Sequence, residues 1–325
     1  MNESSSMSQN ESKSINSTNF QRLSIGQTSK KISTNINSII INSQDKISDF
    51  PSESSNIQKQ SFTEIQGIGF IGIKDKSRNK NGFGIQKLKD GSVYKGNFLE
   101  DKYNGIGIFY YSDGDIYQGE FNNGITKGYG ELYHEKEVTY YGHWLDDIQF
   151  GIGSEIWSDN SQYFGNYNNG KKDGIGTYIW ADKTMYEGEW KDNVKEGFGI
   201  YHFKNGNIYK GEFKNNIING YGEFIWDRGK KYYGFFKNEK KDGFGIYYWS
   251  GEKFLIGFFK EDKQDGISKY ICKNKIKYYR WINGKKSKKF LNEEHFFNFF
   301  RPNEKKYEVY FKWDINKIKE FMEII

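Results

Sequence analysis

The side chains best able to catalyse a reaction or bind a metal are few and scattered in this chain. It contains one cysteine, Cys272, and four histidines: His134, His143, His202 and His295. A zinc site gathers four such ligands, usually from closely spaced pairs, and these residues lack that spacing. A single cysteine excludes an internal disulfide and is typical of a reducing compartment. The acidic residues are spread through polar turns, so we predict no metal, no cofactor and no catalytic residue.

One glycine-rich stretch has the spacing of a nucleotide-binding motif. Residues 67–72 read Gly-x-Gly-x-x-Gly. A dinucleotide site needs a helix directly after these glycines, whereas a loop rich in Lys, Asp and Asn follows them here. The chain also lacks a P-loop, a Gly-x-Ser-x-Gly turn and the kinase signatures. We therefore interpret residues 67–72 as part of a β-strand.

A cluster of basic residues near the C-terminal end could bind anionic groups. The chain carries 48 basic and 42 acidic residues, for a net charge of +6, so this cluster is far more basic than the average. It could attract anionic lipid or an acidic protein, or it could simply keep an open sheet edge soluble. No nucleic-acid-binding module accompanies it, and we predict no nucleic-acid partner. The cluster comprises Lys263, Lys269, Lys273, Lys275, Lys277, Arg280, Lys285, Lys286, Lys288 and Lys289.

Aromatic and glycine residues recur along the chain at a fixed step of 23 residues. Counted from Tyr94, seven copies follow one another without insertion, each with Tyr at position 1, Gly at position 3 and an aromatic residue at position 5. A constant period of this length indicates a repeat architecture. We assign a structural role to the pairs Tyr94 and Gly96, Tyr117 and Gly119, Tyr140 and Gly142, Tyr163 and Gly165, Tyr186 and Gly188, Tyr209 and Gly211, and Tyr232 and Gly234.

Each repeat reads as a β-hairpin. Positions 1 to 5 alternate in polarity, a polar turn follows, and Gly-x-Gly at positions 12 to 14 opens a second apolar run that ends in another turn. A lone hairpin is marginal in water, whereas stacked hairpins stabilise each other. We predict an all-β repeat: an elongated, single-layer antiparallel sheet on the order of 80 to 100 Å long. Recurring glycines beside recurring rings indicate that the rings lie over bare backbone.

The second strand of each hairpin supplies the candidate binding residues. Positions 12 and 14 share a face with positions 16 and 18, which are mostly aromatic. A single-layer sheet cannot bury both faces, and an exposed ring-rich ladder normally marks an interaction site. It could bind a peptide, a helix of a partner protein or a second copy of the chain. The candidate rings are Tyr111, Trp157, Tyr178, Trp180, Tyr201, Phe203, Phe224, Trp226, Tyr247 and Trp249.

The pattern Tyr-x-Gly-x-(Phe/Trp), polar turn, Gly-x-Gly resembles the MORN repeat family. The resemblance covers residues 94–254. It implies a non-enzymatic sheet that binds proteins or membranes beside the cytoskeleton, cilia or cell cortex. In the family, catalysis sits in attached lipid kinase or methyltransferase domains. The residues after the repeats are too few for either, so we expect no enzyme.

Five segments follow from these patterns. We predict a disordered Ser- and Asn-rich tail at 1–61, a degenerate capping repeat at 62–93, seven repeats at 94–254, degenerate repeats with the basic cluster at 255–287, and a helical cap at 288–325. In the capping repeat, Ile71 and Ile73 stand where Tyr and Gly are expected.

The cap itself contains three predicted elements. They are an amphipathic helix from Phe290 that ends before Pro302, a strand that alternates from Tyr307 to Trp313, and a final helix with Asp314 as its N-cap. We expect these elements to cover the last hairpin; the alternative is a helix that mediates dimerisation or binds a partner.

Two functions are consistent with the sequence. The first is a scaffold that binds one protein through its aromatic face and tethers it to cytoskeletal or ciliary structure. The alternative is a peripheral membrane adaptor that binds anionic lipid through the basic cluster. No secretory, lipidation or membrane-spanning signal is present, so we expect a cytoplasmic location.

Overall fold

The computed structural model describes residues 69–134, 138–273, 275–312 and 315–324, except for the side chains of residues 138, 315 and 321–324. The predicted tail at 1–61 and the predicted N-cap Asp314 lie outside the described residues. The chain divides into two compact units between Val194 and Lys195. The first unit is described from Gly69, and the second ends with the C-terminal helices.

The described part of the first unit consists of β-strands, each antiparallel to the strand before it in the chain. They are β1 (Gly69–Lys74), β2 (Lys80–Lys87), β3 (Val93–Leu99), β4 (Lys102–Tyr110), β5 (Ile116–Asn122), β6 (Ile125–Tyr133), β7 (Val138–Leu145), β8 (Ile148–Trp157), β9 (Gln162–Asn168), β10 (Lys171–Ile179) and β11 (Met185–Lys191).

The second unit continues the same antiparallel order and ends in short helices. Its strands are β12 (Val194–His202), which begins at the last residue of the first unit, β13 (Ile208–Lys214), β14 (Ile217–Ile225), β15 (Lys231–Lys237), β16 (Lys240–Tyr248), β17 (Lys253–Lys260), β18 (Lys263–Cys272), β19 (Lys275–Ile282) and β20 (Lys285–Phe290). The helices are α1 (Glu293–Phe297), α2 (Glu308–Phe311) and α3 (Ile315–Ile324), with a 3-10 turn at Lys305–Tyr307. The predicted class, an open antiparallel sheet of stacked hairpins followed by short helices, is confirmed.

Each hairpin combines a tight turn with a bulge. Glu100 and Asp101 connect β3 to β4 with φ angles of 47° and 67°, as a two-residue type I′ turn requires. Gly96 pairs with Gly107, but Phe98 pairs with Tyr103, so β4 contains extra residues between these pairs. Gly105 lies in this bulge with a φ of 71°. The first glycine of Gly-x-Gly therefore serves backbone conformation.

The other two glycines make room for the repeat tyrosine. A Cβ atom added to Gly165 would lie 2.5 Å from the Tyr163 hydroxyl oxygen and 2.5 Å from Cα of Gly176. The Tyr163 ring thus lies directly over two paired glycines, and the side chain is completely buried. Its hydroxyl donates to the Asn166 carbonyl oxygen at 3.1 Å, which satisfies the buried polar group. Burial raises the tyrosine pKa and keeps the side chain neutral.

The repeat tyrosine also joins neighbouring repeats. The Tyr94 ring makes an edge-to-face contact with Phe98 of its own repeat at 5.1 Å and with Phe121 of the next at 5.2 Å. Tyr209 repeats this arrangement with Phe213 and Phe236, both at 5.3 Å. Aromatic pairs of this kind contribute about 0.5–1.5 kcal/mol each beyond burial. Each hairpin is therefore stabilised by the next one in the chain.

The N-terminal hairpin is a repeat shifted by one residue, which corrects the prediction that Ile71 and Ile73 occupy the Tyr and Gly places. Gly72 pairs with Gly84, and Phe70 lies over both glycines. Phe70 also contacts Phe98 edge-to-face at 5.1 Å, as a repeat tyrosine does. The shift arises because Lys74 pairs with Lys80, which makes this turn one residue longer than the one between Phe98 and Tyr103.

A second shift, near the C-terminal end, turns Tyr278 to the opposite face of the sheet. Ile271 pairs with Ile276, whereas Tyr248 pairs with Phe254, so the later connection is one residue shorter. A slip of one residue moves every side chain of a strand to the other face. Tyr278 accordingly contacts Phe296 of α1 at 4.6 Å instead of joining the repeat tyrosines.

The C-terminal segment differs from the prediction in two elements. Phe290 lies in β20, and the helix predicted from this residue begins only at Glu293, capped by the side chain of Asn292. The predicted strand from Tyr307 is wrong, because residues 305–311 form the 3-10 turn and α2. Tyr307, Tyr310 and Phe311 have the i, i+3, i+4 spacing of one helical face and contact Phe244 of the sheet, whereas Val309 is exposed.

These helices cover a face of the sheet and extend well beyond the last hairpin. Phe296, Phe300, Phe311 and Ile318 are buried in one apolar cluster with residues of β15 to β20. The strand members of this cluster are Tyr233, Phe244, Ile246, Phe254, Ile256, Phe258, Ile267, Ile271, Tyr278 and Phe290. In the first unit the equivalent positions are often polar, as in Lys95, Gln118 and Glu120. The change from polar to apolar identifies the strands that the helices cover.

We predict that Gly165→Ala strongly destabilises the first unit. The added methyl group must displace the Tyr163 ring or separate the paired strands, and overpacking of this kind costs about 1–3 kcal/mol. Urea unfolding followed by circular dichroism should show a lower midpoint. Gly69→Ala is the control, because a Cβ there meets nothing within 4 Å. Equal midpoints for the two variants would contradict the proposed packing.

Candidate protein-binding face

The sheet has two chemically different faces. We call the face that bears the repeat tyrosines the tyrosine face, and the opposite one the second face. Tyr94 pairs with Phe109 and Tyr117 with Phe109, so position 16 lies on the tyrosine face. Phe109 in turn contacts Tyr111, at position 18, with ring centroids 4.5 Å apart. The tyrosine face therefore carries an additional row of rings beside the buried tyrosines.

In the first unit this ring row is interrupted. Trp157 contacts Tyr178 at 5.2 Å, and Tyr178 contacts Trp180 at 4.6 Å. Positions 16 and 18 of the second repeat are Leu132 and His134. His134 Nδ1 lies 2.5 Å from the Asp115 carboxylate. A polar contact therefore occupies the place of a Tyr, Phe or Trp ring at this point of the row.

In the second unit the ring row is continuous from repeat to repeat. Ring centroids are 4.7 Å apart for Tyr201 and Phe203, and 5.5 Å apart for Phe203 and Phe224. The row continues through Trp226, Tyr247 and Trp249 with separations of 4.7, 5.3 and 4.5 Å. These side chains are half-buried. Part of each ring therefore remains accessible to a ligand.

The structure places each of the ten predicted rings in the ring row of one unit or the other. Nine are half-buried, and Tyr111 is 39% exposed. The prediction missed Tyr270, which contacts Trp249 at 6.1 Å, as well as Tyr279 and Trp281. Tyr270 belongs to the degenerate repeat that begins at Leu255, outside the seven repeats that supplied the candidates. Tyr279 and Trp281 were missed because the strand shift at Tyr278 moves them, whereas a count of 23 residues assigns both to the second face. The Trp281 ring N–H donates to the Ser268 hydroxyl at 2.7 Å, which places it on the tyrosine face.

Lysines at position 10 lie among the rings. The Lys172 ammonium is 4.7 Å from the Trp157 ring centroid and 3.0 Å from the Glu155 carboxylate. Lys241 lies 5.8 Å from Trp226 and forms an ion pair with Asp262 at 3.1 Å. Burial lowers the pKa of Lys195, although Glu239 opposes the shift. A carboxylate therefore accompanies Lys172 in the first unit and Lys241 in the second.

The basic cluster is almost entirely at the surface. Nine of its ten residues are exposed. Lys269 is the exception, because it is 3% exposed and its ammonium donates to the Phe311 carbonyl oxygen at 2.7 Å. Lys269 thus attaches α2 to the sheet and cannot contact an external anion. This corrects its predicted membership of a lipid or acidic-partner patch.

Within the described ranges, no group of three or more His, Cys, Asp or Glu side chains is placed to hold a metal ion. Among the helices of the same ranges, none is long and apolar enough to cross a membrane.

The sequence profile of the MORN repeat matches seven consecutive segments of the chain: 94–116, 117–135, 140–162, 163–185, 186–208, 209–231 and 232–251. The matched segments coincide with the hairpins built on the repeat tyrosines. The chain is a MORN-repeat protein. Its matched modules are repeats of a scaffold fold, and none of them is a catalytic domain. No curated protein matches the sequence.

Solved structures resemble the MORN sheet only distantly. The SAS-4 TCP domain of Drosophila melanogaster, solved with a proline-rich motif of Ana2, has 12% identity and a TM-score of 0.32, and the match covers 48% of this chain and 85% of that one. The TCP10 domain of Danio rerio CPAP has 11% identity and a TM-score of 0.38, with 63% and 98% covered. Virginiamycin B lyase from Staphylococcus aureus has 12% identity and a TM-score of 0.14, with 70% and 89% covered. At such scores these likenesses carry no functional argument.

We predict that Lys269→Ala weakens the attachment of the C-terminal helices to the MORN sheet. The substitution leaves the Phe311 carbonyl without this donor, and losing one partner of a buried hydrogen bond costs about 1–3 kcal/mol. Urea unfolding should show a lower midpoint, and limited proteolysis should cut the segment 298–312 faster. Lys277→Ala, at an exposed position, is the matched control. Unchanged proteolysis of the Lys269 variant would contradict the proposed attachment.

Proposed function

We propose that this MORN-repeat protein is a non-enzymatic scaffold that binds a protein partner along the ring row of its tyrosine face. The partner contributes a peptide or a helix, and the scaffold tethers it to cytoskeletal or ciliary structure. A second copy of the chain is an alternative occupant of the same row. In this proposal the sheet holds the partner in place and does not itself catalyse a reaction.

The observation that supports this proposal is the contrast between two sets of rings on one face. The repeat tyrosines are completely buried, and their hydroxyls are bonded to backbone within the sheet. The rings from Tyr201 to Trp249 are half-buried and contact each other along the row. Half-exposed aromatic side chains on a rigid support are typical anchors of protein interfaces. The buried set stabilises the sheet, and the half-buried set is left for binding.

We expect the triple variant Trp180→Ala, Trp226→Ala and Trp249→Ala to lose partner binding while it remains folded. Large interface rings often account for much of the binding free energy, so capture should fall by about tenfold or more. Tagged proteins would be incubated with cell extract, and the captured proteins quantified by mass spectrometry after circular dichroism has established folding.

The matched control replaces three exposed apolar residues of the second face, Phe83, Ile106 and Ile156, with alanine. Its capture should equal that of the unmodified protein. Equal capture by the folded tryptophan variant would refute binding along the ring row. Loss of capture in the control alone would assign the interface to the second face.

The tethering part of the proposal is tested by detergent fractionation of cells that express the protein. A tether to cytoskeleton or cilia should leave the chain in the detergent-insoluble residue, and the tryptophan variant should retain that position while its partner is released. Complete release of the unmodified chain before detergent is added would contradict tethering.

Lipid binding through the basic cluster is a second candidate function. It is favoured by the nine exposed basic side chains between Lys263 and Lys289. Each such residue near an anionic membrane surface contributes about 1 kcal/mol, and the attraction is screened by salt. Sedimentation with phosphoinositide vesicles should therefore fall steeply as salt rises. Equal sedimentation with neutral vesicles would exclude this candidate.

A further inference from the structure

The last four strands of the sheet are strongly basic. Strands β17 to β20 contain one acidic residue, Asp265. Their eleven basic residues are Lys253, Lys260, Lys263, Lys269, Lys275, Lys277, Arg280, Lys285, Lys286, Lys288 and Lys289. Asp265 accepts the backbone N–H of Asn283 at 3.0 Å and lines a cleft of the second face with Arg301 and Glu304. Asp265 is thus engaged on the second face and not with the lysines of the tyrosine face.

Strand pairing assigns five of these lysines to the tyrosine face. Tyr270 pairs with Lys277, and Cys272 pairs with both Lys253 and Lys275. Lys289 pairs with Tyr279, and Lys286 pairs with Trp281. Among the described residues, no carboxylate forms an ion pair with any of the five. We call this set of lysines, together with Trp249, Tyr270, Tyr279 and Trp281, the basic ring site.

Two of these lysines lie over the rings. The Lys286 ammonium is 4.4 Å from the Tyr279 centroid and 5.3 Å from the Trp281 centroid. The Lys253 ammonium is 5.4 Å from Trp249 and 5.9 Å from Tyr270. Cation–π attraction favours these positions and holds the charges beside the row. In contrast to Lys172 and Lys241, neither ammonium group forms an ion pair with a carboxylate of the described residues.

This arrangement favours acidic side chains over the other anions. Nucleobases bind aromatic side chains by stacking on open ring faces, and here lysine ammonium groups lie over those faces. A flat bilayer can contact only one face of the sheet. Arg280 and Lys288 are neighbours on paired strands of the second face, so a membrane could not contact these two residues and the five lysines of the basic ring site together. An extended segment that follows the ring row meets the five lysines directly after Trp249.

We propose that the basic ring site binds an acidic segment of the protein partner. The carboxylates pair with Lys253, Lys277 and Lys286, and apolar side chains of the same segment rest on the half-buried rings. This inference rests on the proposed function, since it extends the ring row that holds the partner. It assigns a chemical class to the partner: a segment in which acidic and aromatic or aliphatic residues alternate.

The test uses the full chain and a fluorescent peptide of repeated Glu-Glu-Phe units, with a Gln-Gln-Phe peptide for comparison. The site variant is Lys253→Gln, Lys277→Gln and Lys286→Gln. The control variant, Lys260→Gln, Lys263→Gln and Lys285→Gln, removes the same charge at the strand ends. Fluorescence anisotropy should show about tenfold weaker binding for the site variant and less than about twofold for the control. The Gln-Gln-Phe peptide should bind the unmodified chain about tenfold more weakly.

Several results would overturn this inference. They are absence of Glu-Glu-Phe binding, equal loss in both lysine variants, equal binding of the Gln-Gln-Phe peptide, or binding to phosphoinositide vesicles but not to the acidic peptide. Different results would overturn the proposed function. Partner capture that needs the three tryptophans but neither set of lysines overturns only the acidic-segment inference. Lysine-dependent peptide binding together with undiminished capture by the tryptophan variant refutes the proposed function, because the partner then does not use the ring row although the lysines bind an acidic segment.

Discussion

The structure depends on one contact: a tyrosine ring that lies over two paired glycines. Any side chain larger than hydrogen at Gly165 or Gly176 would collide with Tyr163 or with the opposite strand. The same ring contacts an aromatic residue of its own repeat and one of the next, and its hydroxyl bonds to backbone. One residue therefore sets strand pairing, ring packing and the coupling between repeats. These tyrosine contacts stabilise a face of the sheet that has no large aliphatic core.

The repeat tyrosines are buried within the sheet, and the two faces of the second unit differ in what covers them. In the second unit the second face becomes apolar and is covered by the C-terminal helices, with the Lys269 ammonium bonded to a helix carbonyl. The tyrosine face keeps its half-buried rings at the surface. Covering one face while leaving rings on the other is what a scaffold needs if it is to present a single binding surface.

In the second unit, the charge beside the ring row changes between Lys241 and the last four strands. The Lys241 ammonium lies 3.1 Å from the Asp262 carboxylate. From Lys253 onward the lysines beside the rings have no such partner among the described residues. A partner that contacts the row of the second unit would therefore need apolar side chains throughout and carboxylates beside the last strands. This polarity would also fix the direction in which the partner binds.

The repeated spacing by itself determined the hairpins, their turns, the buried tyrosines and the ten rings of the row, because strand periodicity and steric exclusion at glycine are local effects. Only the tertiary structure decided the rest. Strand register changes when a connection gains or loses one residue, which placed Phe70 on the tyrosine face, Tyr278 on the second face, and Tyr279 and Trp281 in the row. The sequence predicts Lys269 to be a charged residue at the surface. It is buried because the C-terminal helices pack over it. Register depends on the length of each connection, which the 23-residue period does not give where the repeats degenerate, and the burial of Lys269 depends on a segment 42 residues away in the chain.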